Sequence, residues 1–234
     1  MTNADRFLNA YAQIEHELQK CLDLKRHRRF YDLLDLTCKD NPVINKYKFD
    51  LRKFGDLRNA IVHDRADGEV IAQPNDDVVK KIEKIARLLL RPPLVVPLFQ
   101  KEVATISFDA PLSRAIKAMG KYNYSQLPVM KDNKIAGLLT SNMVVRWMGA
   151  RLEKEIYNLQ EAYVWDVLPF SGAKDNYRVV PATTSLFDVQ ELFFRYQVKV
   201  HKLEAVLITR KGKLDEQILG IITNLDLPLL QREL

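Results

Sequence analysis

The chain has 234 residues, of which 47% are hydrophobic and 28% are charged, proportions typical of a globular protein of one or two domains. No apolar run approaches the ~20 residues that a transmembrane helix needs, and the N-terminal residues show no signal-peptide pattern, so we expect a cytoplasmic protein without a membrane span. Cys21 and Cys38 stand without a suitable histidine pattern, which argues against a disulfide scaffold or a zinc site, and we predict no metal. The net charge of +6 permits an acidic partner without requiring one.

Residues 1–91 are predicted to form an all-α domain of four helices, because apolar residues recur there at steps of three and four. The predicted helices run from about Asp5 to Cys21, Phe30 to Leu36, Ile44 to Ile61 and Asp76 to Leu89. Asn41-Pro42 separates the second helix from the third, and Pro92-Pro93 follows the fourth. Residues 64–75 are predicted to be a loop with at most a short strand around Val70–Ala72.

The end of the third helix carries the sequence FGDLRNAIVHDR, Phe54–Arg65. Its Arg-Asn pair, followed by an apolar pair and a histidine, resembles the HEPN family of helical domains, many of which are metal-independent ribonucleases or toxins. The resemblance implies Arg58, Asn59 and His63 as candidate catalytic residues. On an ideal helix Arg58 and His63 are about 140° apart, so we expect them to converge only if the helix bends or a second subunit completes the site.

These residue types suit RNA cleavage. A histidine can move a proton to or from a ribose 2′-hydroxyl near neutral pH. An arginine can hold the scissile phosphate with two hydrogen bonds. In the alternative interpretation Arg58 pairs with Asp56 or Asp64, and His63 caps its own helix.

Two basic clusters in this domain, Lys25–Arg29 and Lys46–Lys53, have aromatic residues beside them. Lysine and arginine can follow a phosphate backbone, and aromatic rings can stack on bases, so RNA is a candidate partner. The competing interpretation, which the core-like spacing of the aromatics favours, is that the charges are solvated helix faces.

The C-terminal part repeats one motif. Ile218–Asp226 reads ILGIITNLD and Ile135–Met143 reads IAGLLTSNM, each predicted as a buried strand that turns into a helix. In this interpretation Gly220 lets a ligand approach the backbone, and Thr223 caps a helix whose free N–H groups suit a phosphate. Asp226 would accept hydrogen bonds from ribose hydroxyls.

This repeat resembles the cystathionine β-synthase (CBS) domain, which occurs as tandem pairs. Each motif follows a strand, a helix and a second strand in the same order. These are Val103–Ser107, Pro111–Met119 and Gln126–Met130 before the first motif, and Arg178–Pro181, Ser185–Phe194 and Leu203–Ile208 before the second. We therefore predict an α+β chain in which the helical domain precedes two βαββα units, the first copy (residues 92–160) and the second copy (residues 161–234). Leu94–Phe99 is expected to dock on the pair as its opening segment, and a helix from Ser141 to about Leu159 is expected to link the copies.

The resemblance implies that the pair binds an adenine nucleotide such as AMP, ADP or ATP. In the second copy the expected contacts are Val180, Pro181, Ala205, Val206, Gly220, Ile222, Thr223 and Asp226. In the first copy they are Thr105, Leu127, Pro128, Thr140 and Asn142. Met143 stands where the second copy has Asp226, so the first site is expected to be weak or empty.

The sequence supports two functions of different classes, beside a third possibility in which the helical domain dimerises or binds a partner without catalysis. One is a regulatory, ligand-sensing protein whose CBS pair controls the helical domain. The other is a nucleotide-gated, metal-independent ribonuclease that uses Arg58 and His63. A homodimer is expected from the family and from the apolar linking helix with Trp147. A GxxxxGK[ST] phosphate loop, a GxGxxG turn and a nucleophile elbow are absent from the sequence, which leaves other common enzyme classes without support.

Overall fold

The computed structural model divides the chain into two compact units, Met1–Pro93 and Leu94–Leu234. The structure describes residues 1–22, 28–63, 65–66, 69–70, 72–152, 161–172, 176–197 and 202–234. No helix in this described part of the chain is long and apolar enough to cross a membrane.

Four helices make up most of the first unit, as the spacing of its apolar residues predicts. They are α1 (Asn3–Cys21), α2 (Phe30–Thr37), α3 (Pro42–His63) and α4 (Asp76–Leu90). The side chains of Thr2 and Asn75 begin α1 and α4 by accepting hydrogen bonds from backbone N–H groups in the first turns. Pro42 is the first residue of α3, where its missing N–H costs no helical hydrogen bond.

The core of the helical unit draws side chains from all four helices. The rings of Phe7 and Phe54 meet edge to face, with centroids 5.8 Å apart. The fully buried apolar side chains include Phe7, Ile14, Leu18, Leu33, Leu34, Ile44, Leu51, Ile82 and Ile85. Each such burial contributes roughly 1.5–3 kcal/mol. This packing accounts for the helical state of α2, because a helix of eight residues is unstable alone in water.

A short hairpin lies between α3 and α4, where the sequence predicted a loop. Strand β1 (Arg65–Ala66) pairs antiparallel with β2 (Glu69–Val70). The strand expected around Val70–Ala72 overlaps β2 at one residue. Its partner β1 escaped prediction because a two-residue strand is too short to show alternation. A HEPN-like identity for this unit stays a prediction.

The second unit contains the repeated elements in the predicted order. The first copy has α5 (Val95–Leu98), β3 (Ile106–Ser107), α6 (Leu112–Tyr122), β4 (Gln126–Lys131), β5 (Lys134–Thr140) and α7 (Ser141–Leu152). The second copy has α8 (Val164–Val167), β6 (Tyr177–Pro181), α9 (Leu186–Gln197), β7 (Ala205–Thr209), β8 (Ile218–Thr223) and α10 (Leu227–Glu233).

The two copies share sheet order and register. In each three-stranded sheet the middle strand pairs in parallel with the strand before the helix and antiparallel with the strand after it. Val129 lies opposite Gly137 in the first sheet, as Ile208 lies opposite Gly220 in the second, and a bulge follows each of these pairs. The glycines and threonines of the repeated motif predicted that the two copies correspond. This correspondence therefore includes the position of the bulge in the middle strand of each sheet.

The opening segments of the two copies are exchanged. The N–H of Val95, in the first copy's opening segment, donates to the carbonyl of Thr184 in the second copy at 2.9 Å. In the same way Val164 of the second copy donates to Ala110 of the first at 3.0 Å. The expectation that Leu94–Phe99 docks on the pair is confirmed, and each copy is completed by the other.

The described residues contain the first part of the linking helix predicted from the sequence, as helix α7. It runs from Ser141 to Leu152, and the predicted residues beyond it, 153–159, lie outside the described residues. The side chain of Trp147 is 2% exposed and packs in the core of the first copy. Its apolar character is thus explained within one chain, and it no longer argues for a dimer.

Candidate functional site

A cleft of about 280 Å³ lies at the Thr223–Asp226 end of β8. We call it the Asp226 cleft. Residues of both copies line it: Lys101, Glu102, Val103, Ala104, Asn123, Tyr124, Ser125, Gln126, Leu127 and Pro128 from the first, and Ile221, Thr223, Leu225 and Asp226 from the second. The cleft therefore exists only because the two copies pack together.

Four of the predicted contacts meet in this cleft. Thr223 and Asp226 come from the second copy, whereas Leu127 and Pro128 come from the first. We predicted each nucleotide site from residues of one copy, whereas in the structure a single cleft is lined by residues of both copies. The reason is that β8 ends beside the start of β4, where Leu127 and Pro128 are buried next to exposed Ser125.

Thr223 and Asp226 are joined by two hydrogen bonds. The Asp226 carboxylate Oδ2 accepts hydrogen bonds from the Thr223 N–H at 2.7 Å and from the Thr223 hydroxyl at 2.9 Å. Residues Asn224–Asp226 form a 3₁₀ turn, and α10 begins only at Leu227 with Pro228 as its second residue. The helix expected to begin after Thr223 thus begins as a 3₁₀ turn, and phosphate binding by the N–H groups of this turn stays a prediction. The Thr223 N–H is already bonded, and Pro228 has none.

Gly220 serves packing between the copies. A Cβ placed on Gly220 would lie 2.1 Å from the carbonyl oxygen of Phe99, in the opening segment of the first copy. The equivalent Gly137 faces the Leu168 side chain, with 3.3 Å to its Cδ2 atom. The expectation that Gly220 admits a ligand is corrected, because the backbone of Phe99 already occupies that space.

In the first copy, the region that corresponds to Thr223 and Asp226 is filled by buried side chains. Thr140 is buried and its hydroxyl accepts a hydrogen bond from the Met143 N–H at 3.3 Å, starting α7. The Met143 side chain, 2% exposed, points into the core. The buried side chain of Asn176 donates to the Leu138 carbonyl at 3.2 Å and lies 3.7 Å from the Met143 sulfur. The side chains of Thr140 and Met143, which correspond to Thr223 and Asp226, are thus both buried and cannot contact a ribose.

The remaining predicted nucleotide contacts do not line the Asp226 cleft. Val180, Ala205, Val206 and Ile222 are at most 7% exposed and belong to the core of the second copy. Pro181 pairs with Thr209 at the end of β6. Thr105 lines a neighbouring groove with Met130 and Gln217. Asn142 is exposed near the start of α7.

Some cleft residues were missed by sequence reasoning. Lys101 and Glu102 precede β3, and Gln126 is the first residue of β4, so all three lie outside the repeated motif. The Lys101 N–H donates to the Leu219 carbonyl of β8 at 3.0 Å, which holds this segment against the second copy. The repeated motif gives no signal for these residues, because the correspondence of Glu102 with Asn176 follows from the register of the two sheets.

In the helical unit, Arg58 and His63 meet on a single helix. The guanidinium Nη1 of Arg58 lies 3.2 Å from His63 Nε2 and 3.3 Å from Asn59 Oδ1. The expectation that convergence needs a bend or a second subunit is wrong, since the long arginine side chain covers the angular separation. Because arginine has no acceptor, His63 Nε2 must accept this hydrogen bond.

Tyr11, Tyr31 and Asp56 lie near this trio. Asp56 accepts a hydrogen bond from the Tyr31 hydroxyl at 2.5 Å, which raises the pKa of Tyr31. Burial raises the pKa of Tyr11, on which the nearby Arg58 charge has the opposite effect. The alternative pairing of Arg58 with Asp56 is not formed among the described contacts, and Asp64 lies outside the described residues.

The structure describes only part of the first basic cluster and all of the second. Most of Lys25–Arg29 lies outside the described residues. In the second cluster Phe49 is 71% exposed and the Lys53 ammonium stands 4.5 Å from its ring centroid. Phe49 is therefore a surface residue, although its spacing suggested a core position. Within the described residues no group of three or more His, Cys, Asp or Glu is placed to hold a metal ion.

Residues 95–150 match the CBS domain family. A search of curated proteins gave no match. Among solved structures, the chain is similar to a putative acetoin utilization protein (AcuB) from Vibrio cholerae, with 15% identity over 60% of this chain and 90% of the other and a TM-score of 0.46. CBSX2 in complex with AMP has 16% identity over 61% and 99%, with a TM-score of 0.45. The CBS domain pair of protein MJ0100, in complex with 5′-methylthioadenosine and S-adenosyl-L-methionine, has 17% identity over 61% and 98%, with a TM-score of 0.43.

The family match covers the first copy from its opening segment into α7. The second copy repeats its sheet order, register and bulge. Residues 95–150 are thus similar to the CBS domain family, and the second copy has the same topology as the first.

Proposed function

We propose that this chain is a regulatory, ligand-sensing protein that binds an adenosine-type ligand in the Asp226 cleft and thereby controls its helical unit. The observation that carries the proposal is the cleft itself, in which the Thr223–Asp226 pair stands beside an apolar wall that includes Leu127 and Pro128. The match of residues 95–150 to the CBS domain family and the repeated motif support the adenine assignment through the family resemblance.

The cleft offers each part of a nucleoside a matching surface. Asp226 Oδ2 is occupied by Thr223, which leaves Oδ1 to accept hydrogen bonds from the vicinal hydroxyls of a ribose. Val103, Leu127 and Ile221 provide apolar contacts for a flat base. A volume of about 280 Å³ suits one small ligand. The counterpart at Met143 lacks these groups, so we propose one site per chain.

A ligand in this cleft would act by favouring one arrangement of the two copies over another. Since both copies line the cleft and exchange their opening segments, a ligand that fits one arrangement better shifts the population toward it. We propose that this shift reaches the helical unit, and that the protein is a homodimer in the cytoplasm.

Calorimetric titration of the full chain with adenosine and AMP tests the proposal, with Asp226→Ala and Asp188→Ala as variants. Asp188 makes the same arrangement with Ser185 that Asp226 makes with Thr223, yet it lies outside the cleft. We expect Asp226→Ala to weaken binding roughly tenfold or more, since it removes hydrogen bonds to a charged acceptor. Asp188→Ala is expected to bind like the wild type. Equal binding by both variants would contradict the site.

A second candidate function is metal-independent RNA cleavage by the helical unit. The observation that favours it is the 3.2 Å contact between Arg58 Nη1 and His63 Nε2, with Asn59 beside them on an exposed helix end. A phosphate that draws the guanidinium away would free the His63 lone pair to accept a 2′-hydroxyl proton.

Cleavage of a labelled RNA in metal-free buffer tests this candidate. His63→Ala is compared with His16→Ala, which removes an exposed histidine of α1 that the proposed site does not use. Activity that is lost only in His63→Ala supports the ribonuclease. Activity retained in His63→Ala, or absent from the folded wild type, would leave the ligand sensor as the function.

A further inference from the structure

The exposed side of helix α3 carries an aromatic ring among basic side chains. Phe49 is 71% exposed, and the Lys53 ammonium stands 4.5 Å from its ring centroid. Lys46 and Arg52, one turn to either side of Phe49, are exposed as well. We call these four residues the Phe49 face. The interpretation of this cluster as a solvated helix face depended on a core-like spacing of its aromatics, and for Phe49 that reason is removed.

The charges of α3 are mostly positive, and its carboxylates are engaged by other residues. Asp50 accepts a hydrogen bond from Lys81 at 2.6 Å, and Asp56 accepts one from the Tyr31 hydroxyl at 2.5 Å. Asp35 of α2 pairs with two of the basic side chains. The helix thus carries a net positive charge, of which Asp35 offsets part. Its charged residues are the basic Lys46, Lys48, Arg52, Lys53 and Arg58 and the acidic Asp50 and Asp56.

Lys84 adds to the positive charge beside Lys46. Partial desolvation and the charge of Lys84, which lies on α4, lower the pKa of Lys46. Because ammonium groups repel each other, an anion close to both lysines would remove an unfavourable interaction. The Phe49 face therefore favours an anionic partner.

The Phe49 face and His63 lie on the same side of α3. An α-helix turns about 100° and rises about 1.5 Å per residue, so Phe49 and His63 are about 40° apart around the axis and about 21 Å apart along it. The contact between Arg58 Nη1 and His63 Nε2 therefore lies at the end of the same exposed side. An extended strand of several nucleotides that lies along α3 can contact both places.

Single-stranded RNA has the chemistry that fits the Phe49 face. Its phosphates carry the charge that lysines attract, and its unpaired bases have flat surfaces that stack on exposed rings. A phenyl ring has two faces, so a base can stack on Phe49 opposite the Lys53 ammonium. An anionic membrane would attract the same lysines, but interfacial helices insert a whole apolar face, whereas the exposed neighbours of Phe49 on α3 are polar or charged.

We propose that the Phe49 face binds single-stranded RNA, with Phe49 stacking on a base and Lys46 and Lys53 contacting phosphates on either side of it. The inference goes beyond the ribonuclease candidate, since binding at this face does not require cleavage at His63. Where both hold, the Phe49 face positions the strand several nucleotides from Arg58 and His63.

Fluorescence anisotropy of a labelled single-stranded RNA of about twelve nucleotides tests the inference. The full chain carries His63→Ala in every titration, so that the RNA stays intact. Phe49→Ala is expected to weaken binding roughly fivefold or more through the loss of one stacked base, whereas Phe49→Trp should retain it. Leu90→Ala removes another exposed apolar side chain of the helical unit and is expected to leave binding unchanged.

Salt dependence separates phosphate contacts from stacking. Lys53→Gln is expected to reduce the slope of log K against log salt concentration by about 0.7, the contribution of one phosphate contact to a single strand. Phe49→Ala should leave this slope unchanged. Lys117→Gln removes an exposed charge from α6 in the second unit and should also leave it unchanged. An equal reduction in Lys53→Gln and Lys117→Gln would mean that overall charge attracts RNA, and would overturn the inference.

The failure of this inference and that of the ribonuclease give different results. Binding that depends on Phe49, with no cleavage by the chain that retains His63, supports the Phe49 face and removes the ribonuclease. Cleavage that Phe49→Ala does not slow, with unchanged RNA binding in that variant, overturns the Phe49 face and leaves the ribonuclease. A folded protein that does not bind the RNA, but binds vesicles of phosphatidylcholine and phosphatidylserine through Phe49, also overturns the inference.

Discussion

The carbonyl oxygen of Phe99 lies 2.1 Å from the point where a Cβ on Gly220 would stand. Phe99 ends the opening segment of the first copy, and Gly220 lies in the last strand of the second. A glycine in the repeated motif is thus explained by the close approach of two backbones, one from each copy. The contact fixes the packing that forms the Asp226 cleft.

Gly220→Ala is expected to destabilise the protein by roughly 3 kcal/mol or more, because the new methyl group clashes with main-chain atoms that cannot turn aside. Gly137→Ala is the matched control. Its methyl group would meet only the Leu168 side chain at 3.3 Å, so we expect a cost below about 1.5 kcal/mol. Urea unfolding of both variants measures the difference, and equal costs would contradict the account of the motif glycine.

Met143→Asp gives the first copy the residue type that the second copy has at the corresponding position, Asp226. We nevertheless expect this variant to create no nucleotide site in the first copy. The side chain at position 143 is buried in the core, so a carboxylate there should cost roughly 3 kcal/mol or more. Asn142→Asp, at an exposed neighbouring position, should stay within about 0.5 kcal/mol. Thermal unfolding distinguishes the two variants. A stable Met143→Asp protein that binds a second equivalent of adenosine would refute this prediction.

Asn176→Ala tests how the counterpart site is kept closed. The variant leaves the Leu138 carbonyl without its buried amide donor, which should cost about 1–3 kcal/mol. Asn224→Ala removes a similar bond, 3.3 Å long, from an exposed amide to the Leu203 carbonyl and should cost less. Denaturant unfolding compares them, and a larger loss for Asn224→Ala would show that burial of Asn176 is not what matters.

The hydrogen bonds of the Asp35 carboxylate predict that the stability of the helical unit depends on pH. Its carboxylate accepts hydrogen bonds from Lys48 Nζ and Arg52 Nη2 at 2.7–2.8 Å, which lower the pKa of Asp35. A carboxyl group whose pKa is lowered by folding contributes stability above its unfolded pKa, and this stability is lost as the pH falls below about 4. We therefore expect Asp35→Asn to be less stable than the wild type at pH 7, and this difference to be smaller at pH 3. Unfolding curves at both pH values check this, and a constant difference would contradict it.

The sequence predicted elements well where periodicity and repetition determine them. The four helices follow from apolar steps of three and four, and α1 and α4 end within one residue of their predicted limits. The two copies follow from the repeated glycine and threonine. Residues too few to show a pattern, such as those of β1, could not be assigned.

Side-chain placement across the copies could not be predicted. Asp226 lies beside Leu127 because of how two sheets pack, and a repeat alone does not reveal that arrangement. Arg58 reaches His63 because of the length of its side chain, which an argument from backbone angles ignores. Asn176 precedes the predicted strand Arg178–Pro181, and only the fold shows that its side chain is buried against Leu138 and Met143.

Hydrogen exchange of the full chain with and without adenosine tests most directly whether the ligand controls the helical unit. We expect slower exchange around 101–104, 123–128 and 221–226, together with changed exchange in peptides of α1 to α4, and no change of either kind in Asp226→Ala. Adenosine that binds and protects the Asp226 cleft while exchange throughout residues 1–93 stays constant would contradict control of the helical unit. The chain would then bind a ligand without signalling to that unit.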